Sequence, residues 1–399
     1  MDYRFSDKIA NLKPSAIREI LKAPSDADTI SFAAGNPSPE AFPVKELAEL
    51  AQRIFDEEPV AALQYSVTDG YAPLRQAVAD RQKKVFGIGR DFDTTIIVSG
   101  GQQGIELLCK VLCNEGDAVA VENPSFVGAL NAFRSCGART VGVPLSEDDS
   151  GLDTDALEKT LSAEPDIRFL YVIPTFQNPA GTTTTLEKRK KIYEICLRHN
   201  VMILEDNPYG ELRFDGEEVP TLKSMDEEGI VVYCSSFSKI LSPGIRLGFV
   251  VAPDAVAQKM VVAKQSEDVH TNIFFQILCY RFMTEYDLDA HIAKLRALYG
   301  KKCKLMLDCL SREIPSSIHF TRPQGGLFVW CTLPEETDAT AFIRACMEKN
   351  VRIVPGVTFN ADTEAPSRCF RLNYSMPSEA QIEEGCRRLG EVARRFVKA

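Results

Sequence analysis

The chain has 399 residues, of which 45% are hydrophobic and 26% are charged, and its formal net charge is −10. This composition matches an average soluble globular protein and excludes a disordered chain, a collagen-like fibre and a disulfide scaffold. The acidic balance offers no basic footprint for nucleic acid or an anionic membrane, and no apolar window is long enough to span a bilayer.

The distribution of cysteine and histidine predicts free thiols and no metal site. Twelve cysteines are scattered along the chain without a CxxC pair, and only four histidines are present. Buried free thiols are typical of proteins in a reducing compartment. The first residues, Met1 to Lys13, lack the apolar core of a signal peptide, so we expect a cytoplasmic protein.

The N-terminal region is predicted to contain two helices separated by a shaped loop. Ser15 to Lys22 show a short helical pattern, and the loop from Ser31 to Pro43 contains one glycine and three prolines, which interrupt regular structure. Apolar residues at helical spacing then predict a helix from Val44 to about Glu57.

The central part of the chain, from Thr94 to about Pro253, alternates between apolar runs and helical stretches. Runs that are apolar on both faces and alternate with helices predict an α/β fold, with a mostly parallel seven-stranded sheet flanked by helices. Functional side chains are then expected just past the carboxyl ends of the strands. The predicted strands are Thr95–Ser99, Ala118–Glu122, Thr140–Pro144, Phe169–Pro174, Val201–Glu205, Ile230–Ser235 and Leu247–Ala252.

The C-terminal part is helical to about Ser311 and then changes to α+β character. We therefore predict three regions: residues 1–43 contribute to a small domain, residues 44–285 form a large domain, and residues 286–399 form the small α+β domain. The predicted C-terminal elements are strands Ile318–Pro323, Gly326–Leu333, Val351–Pro355 and Cys369–Ser375, and helices Ala339–Asn350 and Ser378–Val397.

The most informative stretch is Tyr233 to Phe249, which reads YCSSFSKILSPGIRLGF. Lys239 follows an apolar strand, between two serines and Arg246. Desolvation and nearby cations lower the pKa of a lysine and free its lone pair for Schiff-base chemistry. The hydroxyls of Ser236 and Ser238 and the guanidinium of Arg246 are the donors that a phosphate needs. Taken alone, a surface lysine in a polar turn remains the alternative.

Three further segments place polar groups at strand ends. Ser99 to Gly104 (SGGQQG) opens a helix and offers backbone N–H groups to an anion, although it matches neither GxGxxG nor the P-loop. Asp206, with Tyr209 three residues later, could pair with a pyridinium nitrogen or merely cap a turn. Asn178, in FQNPAG, lies in a proline turn and could serve turn chemistry alone.

Taken together, the motifs resemble those of the fold-type I aminotransferases of class I/II, which use pyridoxal 5'-phosphate (PLP). The similarity is to the branch that contains 2-aminoadipate and kynurenine/2-aminoadipate aminotransferases, and it runs over nearly the whole chain in family order. The motifs are SFAAGNPSPEAFP, LQYSVTDGYAPLR, SGGQQG, ENPSF, FQNPAG, EDNPY, SSFSKILSPGIRLGF, QGGLFVW and FRLNYS. The resemblance implies a PLP-dependent transaminase whose large domain binds the cofactor and whose N-terminal segment, residues 1–43, covers the active site.

The resemblance assigns five residues to the cofactor ring. Lys239 would form the Schiff base with PLP and act as the general base, and Asp206 would pair with the ring nitrogen and keep it protonated. Tyr209 and Asn178 would hydrogen-bond the phenolic oxygen of the ring. Phe126 would stack on the ring, at a position where many relatives carry tyrosine.

The resemblance also implies a phosphate site that two subunits share. Tyr65, in LQYSVTDG, would reach the phosphate of the neighbouring subunit, so the active unit would be a homodimer with shared active sites. The other phosphate ligands would be the backbone of Gly101 and Gln102 and the side chains of Ser236, Ser238 and Arg246.

The implied substrate site is built around Arg371, in FRLNYS, which would bind the α-carboxylate with help from Gly35 and Asn178. Arg18, in SAIREILK, would pair with a distal carboxylate or would be an ordinary solvated helix arginine. The implied reaction is ping-pong transfer of an amino group from 2-aminoadipate or glutamate to a 2-oxo acid such as 2-oxoglutarate. Aromatic or other apolar amino acids would also be accepted as donors.

Other functions use the same cofactor residues. A PLP-dependent C–S lyase or decarboxylase is one alternative, and a catalytically silent PLP-binding scaffold is another. The effector-sensing domain of a MocR-type transcription regulator belongs to a different class. That alternative predicts a winged-helix domain upstream, whereas only about thirty residues precede SFAAGNPSP.

Overall fold

The computed structural model describes residues 3–10, 12 and 28–397 of the chain. The helix predicted for Ser15 to Lys22 lies outside the described residues. The helices are α1 (Asp7–Ala10), α2 (Val44–Glu57), α3 (Pro59–Leu63), α4 (Ala72–Phe86), α5 (Gly101–Leu112), α6 (Val127–Ser135), α7 (Thr154–Ala163), α8 (Leu186–Arg198), α9 (Asp254–Gln265), α10 (Ile273–Glu285), α11 (Leu288–Glu313), α12 (Ala339–Glu348) and α13 (Glu379–Phe396). The strands are β1 (Ile30–Ser31), β2 (Asp93–Val98), β3 (Ala118–Asn123), β4 (Arg139–Pro144), β5 (Ile167–Val172), β6 (Met202–Asp206), β7 (Val231–Ser236), β8 (Gly248–Pro253), β9 (His319–Phe320), β10 (Phe328–Thr332), β11 (Val351–Arg352), β12 (Val354–Pro355) and β13 (Cys369–Asn373).

The predicted seven-stranded sheet is confirmed. Its strand order is β2-β8-β7-β6-β5-β3-β4, and only β8 runs antiparallel to its two neighbours. The carboxyl ends of β3, β5, β6 and β7 therefore meet at one edge, which is where open α/β sheets bind ligands.

Both faces of this sheet are buried, as the side chains of β5 illustrate. Phe169 and Tyr171 pack with helices α5, α6 and α9, whereas Leu170 and Val172 pack with α7 and α8 on the opposite face. Successive strand residues point to opposite faces, so an apolar run becomes a strand buried on both sides. Each buried Leu, Val or Phe side chain of this kind contributes roughly 1.5–3 kcal/mol to folding.

The C-terminal part forms a second, four-stranded antiparallel sheet in the order β12-β13-β10-β9. Strand β1, from the N-terminal part of the chain, pairs in parallel with β11. This pairing supports our proposal that residues 1–43 join a small domain of residues 286–399, with a large domain between them at 44–285.

The prediction of one strand over Val351–Pro355 was wrong. This stretch forms two short strands in different sheets, because β11 pairs with β1 and β12 pairs with β13. Ile353, which lies between them, is buried as the chain passes from one sheet to the other. The strand predicted over Ile318–Pro323 is also shorter, since only His319 and Phe320 pair with β10.

In the described part of the chain, no helix combines the length and the apolar character needed to cross a membrane. The twelve cysteines are free thiols, most of them buried.

Gly248 allows β8 to lie close to the turn that starts α5. A Cβ at this position would lie 2.7 Å from the backbone nitrogen of Gly101 and from the carbonyl oxygen of Ser235. We expect Gly248→Ala to lower the free energy of unfolding by roughly 1–3 kcal/mol, because backbone atoms of β7 and of the turn that starts α5 must move. Urea unfolding measures this change, and Gly244→Ala is the control because its nearest contact would be 3.7 Å away. Equal stabilities of the two variants would contradict the packing argument.

Candidate active site

The residues predicted from the motifs converge on one cleft of about 690 Å³ at the carboxyl edge of the large sheet. Asp206 ends β6 and Ser236 ends β7, so the fold itself carries their side chains to this edge. Twelve of the fourteen predicted site residues line the cleft: Gly35, Gly101, Gln102, Phe126, Asn178, Asp206, Tyr209, Ser236, Ser238, Lys239, Arg246 and Arg371.

Of the two remaining residues, the structure describes Tyr65, which does not line the cleft. Tyr65 is 82% exposed, and its ring meets the ring of His270 edge-on at 5.9 Å. Its predicted role concerns a neighbouring subunit. Arg18 lies outside the described residues.

Lys239 lies in the cleft with its amine held by the backbone. Its Nζ donates a hydrogen bond to the carbonyl oxygen of Gly35, at 2.8 Å. Burial, together with the positive charges of Arg371 and Arg246, lowers the pKa of Lys239 to about 8. The amine is thus closer to its nucleophilic, neutral form at physiological pH than an exposed lysine is.

Asp206 is a buried carboxyl group at the end of β6. The hydroxyl of Tyr171 donates a hydrogen bond to Asp206 Oδ2, at 2.7 Å. Burial raises the pKa of Asp206 to about 7, and the hydrogen bond from Tyr171 opposes this rise. A cation placed against this carboxyl group from the cleft would stabilise its ionised form, which fits a protonated ring nitrogen.

Arg371 is a buried cation whose partners are neutral. Its Nη1 donates to Asn178 Oδ1 at 2.8 Å and its Nη2 donates to the carbonyl oxygen of Ala33 at 3.0 Å, while Nε has no partner among the residues that the structure describes. Burial lowers the pKa of Arg371 to about 10. Within the part of the chain that the structure describes, no carboxylate pairs with this guanidinium. A ligand carboxylate would therefore meet an uncompensated positive charge here.

Aromatic rings hold this guanidinium in place. The ring of Phe328 lies 4.1 Å from its central carbon, and the ring of Phe359 lies 4.9 Å from it. Phe328 also contacts the ring of Tyr209 edge-on at 5.9 Å, and Tyr209 accepts a hydrogen bond from Asn178 Nδ2 at 3.4 Å. The contacts join Arg371, Asn178 and Tyr209 into one wall of the cleft.

The opposite end of the cleft offers donors suited to a phosphate. Ser236 and Ser238 are joined by a hydrogen bond between their hydroxyls at 2.7 Å, and the helix α5 begins beside them at Gly101. Among the described residues, Arg246 donates only to the backbone carbonyls of Pro243 and Ser99. Backbone N–H groups at a helix start, two hydroxyls and a guanidinium fit the charge and the hydrogen-bonding capacity of a phosphate.

Close packing in this region leaves no room for larger side chains. A Cβ at Gly100 would lie 2.5 Å from Arg246 Nη2, and a Cβ at Gly128 would lie 2.4 Å from the ring of Phe126. Gly100 also has a φ of +84°, a conformation that favours glycine. The glycines therefore let Arg246 and Phe126 approach the cleft.

The sequence analysis missed three groups at this site. Phe328 lies in the motif QGGLFVW, so its position in a strand of the C-terminal part was the available signal. Tyr171 contacts Asp206 across two strands, and the carbonyl of Ala33 acts through the backbone. The residue types alone could not have predicted either of these two contacts. Among the described residues, no group of three or more His, Cys, Asp or Glu side chains could hold a metal ion.

Comparisons with known proteins agree with this geometry. The family model for aminotransferase class I and II matches residues 27–389. Aromatic-amino-acid aminotransferase 1 of Thermococcus litoralis is 39% identical, over 100% of this chain and 96% of that protein. The 2-aminoadipate transaminase of Thermus thermophilus is 41% identical, over 97% of this chain and 95% of that protein. The crystal structure of LysN, the alpha-aminoadipate aminotransferase from Thermus thermophilus, complexed with N-(5'-phosphopyridoxyl)-L-leucine, has a TM-score of 0.90. It is 40% identical and covers 98% of this chain and 97% of its own.

The depressed pKa of Lys239 predicts how its amine reacts with an acylating reagent. On cofactor-free protein, labelling by trace acetic anhydride should increase as the pH rises through about 8, because only the neutral amine reacts. Arg371→Gln removes one nearby positive charge and should move this midpoint to higher pH. Peptide mapping by mass spectrometry measures the labelling, with the exposed Lys304 as the internal reference. A midpoint near the ordinary value of 10.5 in the unmodified chain would contradict the assignment.

Proposed function

Because this chain belongs to the aminotransferase class I and II family, we propose that the cleft around Lys239 is where it moves an amino group from an L-amino acid to a 2-oxo acid. The protein is a PLP-dependent transaminase. This function is favoured over a C–S lyase, a decarboxylase, a silent scaffold or a regulator's sensing domain. The observation that supports this location is that Lys239, whose pKa is lowered, shares the cleft with the buried guanidinium of Arg371, which has no counter-ion among the described residues.

Different residues of the cleft fit different parts of the cofactor. We assign the phosphate to the donors around Ser236 and Ser238, the ring nitrogen to Asp206 and the phenolic oxygen to Asn178 and Tyr209. The ring face is assigned to Phe126, and the aldehyde carbon to the Nζ of Lys239. When bound, PLP supplies an electron sink that stabilises negative charge at the substrate Cα. The remaining chemistry of proton transfer and orientation falls to the protein.

Two side chains carry that chemistry. Arg371 would bind the substrate α-carboxylate, and this contact fixes which bond at Cα faces Lys239. Lys239 Nζ would then accept the proton from the substrate Cα and donate it to the C4' atom of the cofactor. With a pKa of about 8, roughly a tenth of the amine is neutral at pH 7, which suits a group that must both accept and donate a proton.

The substrates that we propose are 2-aminoadipate and glutamate as donors and 2-oxoglutarate as acceptor, with aromatic or other apolar amino acids also accepted. The names of two relatives, a 2-aminoadipate transaminase and an aromatic-amino-acid aminotransferase, support this range. The cleft is lined by both apolar and polar side chains, among them Ile105 and Phe328 on one hand and Asn131 and Ser135 on the other.

A half-reaction tests the function without a second substrate. Mixing the PLP-loaded enzyme with 2-aminoadipate or glutamate should convert the cofactor to pyridoxamine phosphate, as its absorbance spectrum reports. Arg371→Gln should raise the amino acid concentration that gives half-maximal conversion by about tenfold or more, since a charge-assisted hydrogen bond to the substrate carboxylate is lost. Arg368→Gln is the matched control because Arg368 lies three residues away and is paired with the exposed Glu335. With an S-substituted cysteine in place of these donors, release of pyruvate, ammonia and a thiol without any acceptor would instead identify a lyase.

We also propose that Arg18 pairs with the distal carboxylate of dicarboxylic donors. Arg18→Ala should then lower kcat/KM for 2-aminoadipate and glutamate by roughly tenfold, as expected for loss of one charged hydrogen bond. The value for an apolar donor such as leucine should stay within about twofold, since a leucine side chain offers no charge to Arg18. Steady-state kinetics with each donor measures the difference. Equal losses of kcat/KM for all donors would show that Arg18 does not determine the specificity for dicarboxylic donors.

We further propose a homodimer with shared active sites and a cytoplasmic location. The strong exposure of Tyr65, and of Leu63 and Val67 beside it, supports a subunit contact at this surface. The free thiols support a reducing compartment, and recovery of the protein from a secreted fraction would contradict it.

Mixing two defective variants tests the shared site. Tyr65→Ala and Lys239→Ala should each have little activity as homodimers. After unfolding and refolding together, about a quarter of the sites should be intact, because half of the dimers are hybrids with one complete site. Size-exclusion chromatography with light scattering gives the assembly state. A fully active monomer, or no recovery on mixing, would contradict the role of Tyr65.

A further inference from the structure

A buried tyrosine lies behind the cleft and contacts its carboxyl group from the core of the protein. Tyr171 on β5 is fully buried and is not among the residues that line the cleft. Its hydroxyl donates to Asp206 Oδ2 at 2.7 Å. The hydrogen bond therefore reaches the carboxyl group on the side away from the space that a ligand would occupy.

The register of the sheet fixes this contact. Tyr171 lies directly opposite Leu204 on the neighbouring parallel strand β6, and Asp206 is two residues further along. Leu204 and Asp206 therefore point to the same face of the sheet as Tyr171, because side chains alternate along a strand. The ring of Phe133, on α6, packs edge-on against Tyr171 with 5.5 Å between ring centres. The packing of this ring and the register together direct the hydroxyl to Asp206.

The electrostatic surroundings make this one donor important. Burial raises the pKa of Asp206, and the hydroxyl of Tyr171 is the group that opposes the rise. Within the described chain, the other titratable groups whose charges interact with Asp206 are Glu122 on β3, Cys234 on β7 and Tyr209. None of these three groups supplies a positive charge. Burial also raises the pKa of Glu122, to about 7, and the charge of Asp206 adds to that rise.

We propose that Tyr171 is a positioning residue that keeps Asp206 ionised and oriented towards the cofactor's ring nitrogen. This inference rests on the proposed function. A neutral phenol orients the carboxylate without cancelling its charge, so the full negative charge stays available to a cation in the cleft. An arginine or lysine in the same place would compensate that charge and weaken its hold on the ring nitrogen.

Tyr171→Phe removes the hydroxyl and keeps the ring that packs against Phe133. We expect the PLP dissociation constant to rise by about tenfold to a hundredfold, the usual effect of losing a hydrogen bond to a charged group. With 15N-labelled PLP, the ring nitrogen should lose its proton at lower pH than in the unmodified enzyme. The value of kcat should fall while KM changes less than about twofold, because Tyr171 does not contact the substrate.

Tyr233→Phe is the matched control. Tyr233 is equally buried in the same sheet, and its hydroxyl accepts a hydrogen bond from Asn207 Nδ2 at 3.1 Å. This variant also removes a buried hydrogen bond, but one that does not involve Asp206. It should therefore leave the PLP dissociation constant within about twofold of the unmodified value and the 15N titration unchanged.

A double-mutant cycle separates positioning from a general loss of stability. In the Asp206→Asn background, Tyr171→Phe should have no further effect on PLP affinity, since no charge remains to be held. An additive effect there, or unchanged PLP affinity and 15N titration in Tyr171→Phe alone, would overturn the proposal. If the unmodified chain itself failed to bind PLP, the proposed function would fail instead, so the two failures are distinguishable.

Discussion

Two cationic side chains, Lys239 and Arg371, lie in one cleft and pair with no carboxylate of the described chain, and the chemistry of the site depends on this arrangement. Both are held by carbonyl oxygens of a single loop, at Gly35 for Lys239 and at Ala33 for Arg371. A carbonyl satisfies a donor but leaves its positive charge in place. Burial then lowers the pKa values of both groups, and the positive charge of Arg371 also contributes to the lowering at Lys239. The result is an amine that can lose its proton and a guanidinium that attracts an anion.

The parallel sheet explains why these groups and the carboxyl group of Asp206 can be combined in one place. A second buried acid, Glu122 at the end of β3, accepts hydrogen bonds from the N–H of Ile173 at 3.0 Å and from Gln177 Nε2 at 3.1 Å. Gln177 in turn accepts a hydrogen bond from the N–H of Ala180 at 2.7 Å. These hydrogen bonds connect the motifs ENPSF and FQNPAG, and they hold the turn that carries Asn178 in place.

Much of this organisation could be predicted from the sequence. The helix over Val44–Glu57 has the predicted bounds, and the seven strands follow from runs that are apolar on both faces. Because parallel strands end at a common edge, polar residues that follow separate strands could be expected to meet. That reasoning brought together Asn178, Asp206 and Lys239, which are far apart in the chain.

Other features depend on which strands become neighbours, and residue types do not encode that directly. The contact between Tyr171 and Asp206 requires β5 beside β6 in one particular register. The carbonyl of Ala33 acts through the backbone, so any residue type could supply it. The break between β11 and β12 arises because one short apolar run serves two sheets, whereas its pattern is that of a single strand.

The most direct test of the central claim locates the covalent attachment of the cofactor. The PLP-loaded enzyme should be reduced with borohydride, digested and mapped by mass spectrometry. We predict that the phosphopyridoxyl mass is found on the peptide that contains Lys239, and not on those with Lys223, Lys264 and Lys302, which are buried lysines of the described part of the chain. A label on one of those lysines, or no reducible linkage at all, would contradict the account.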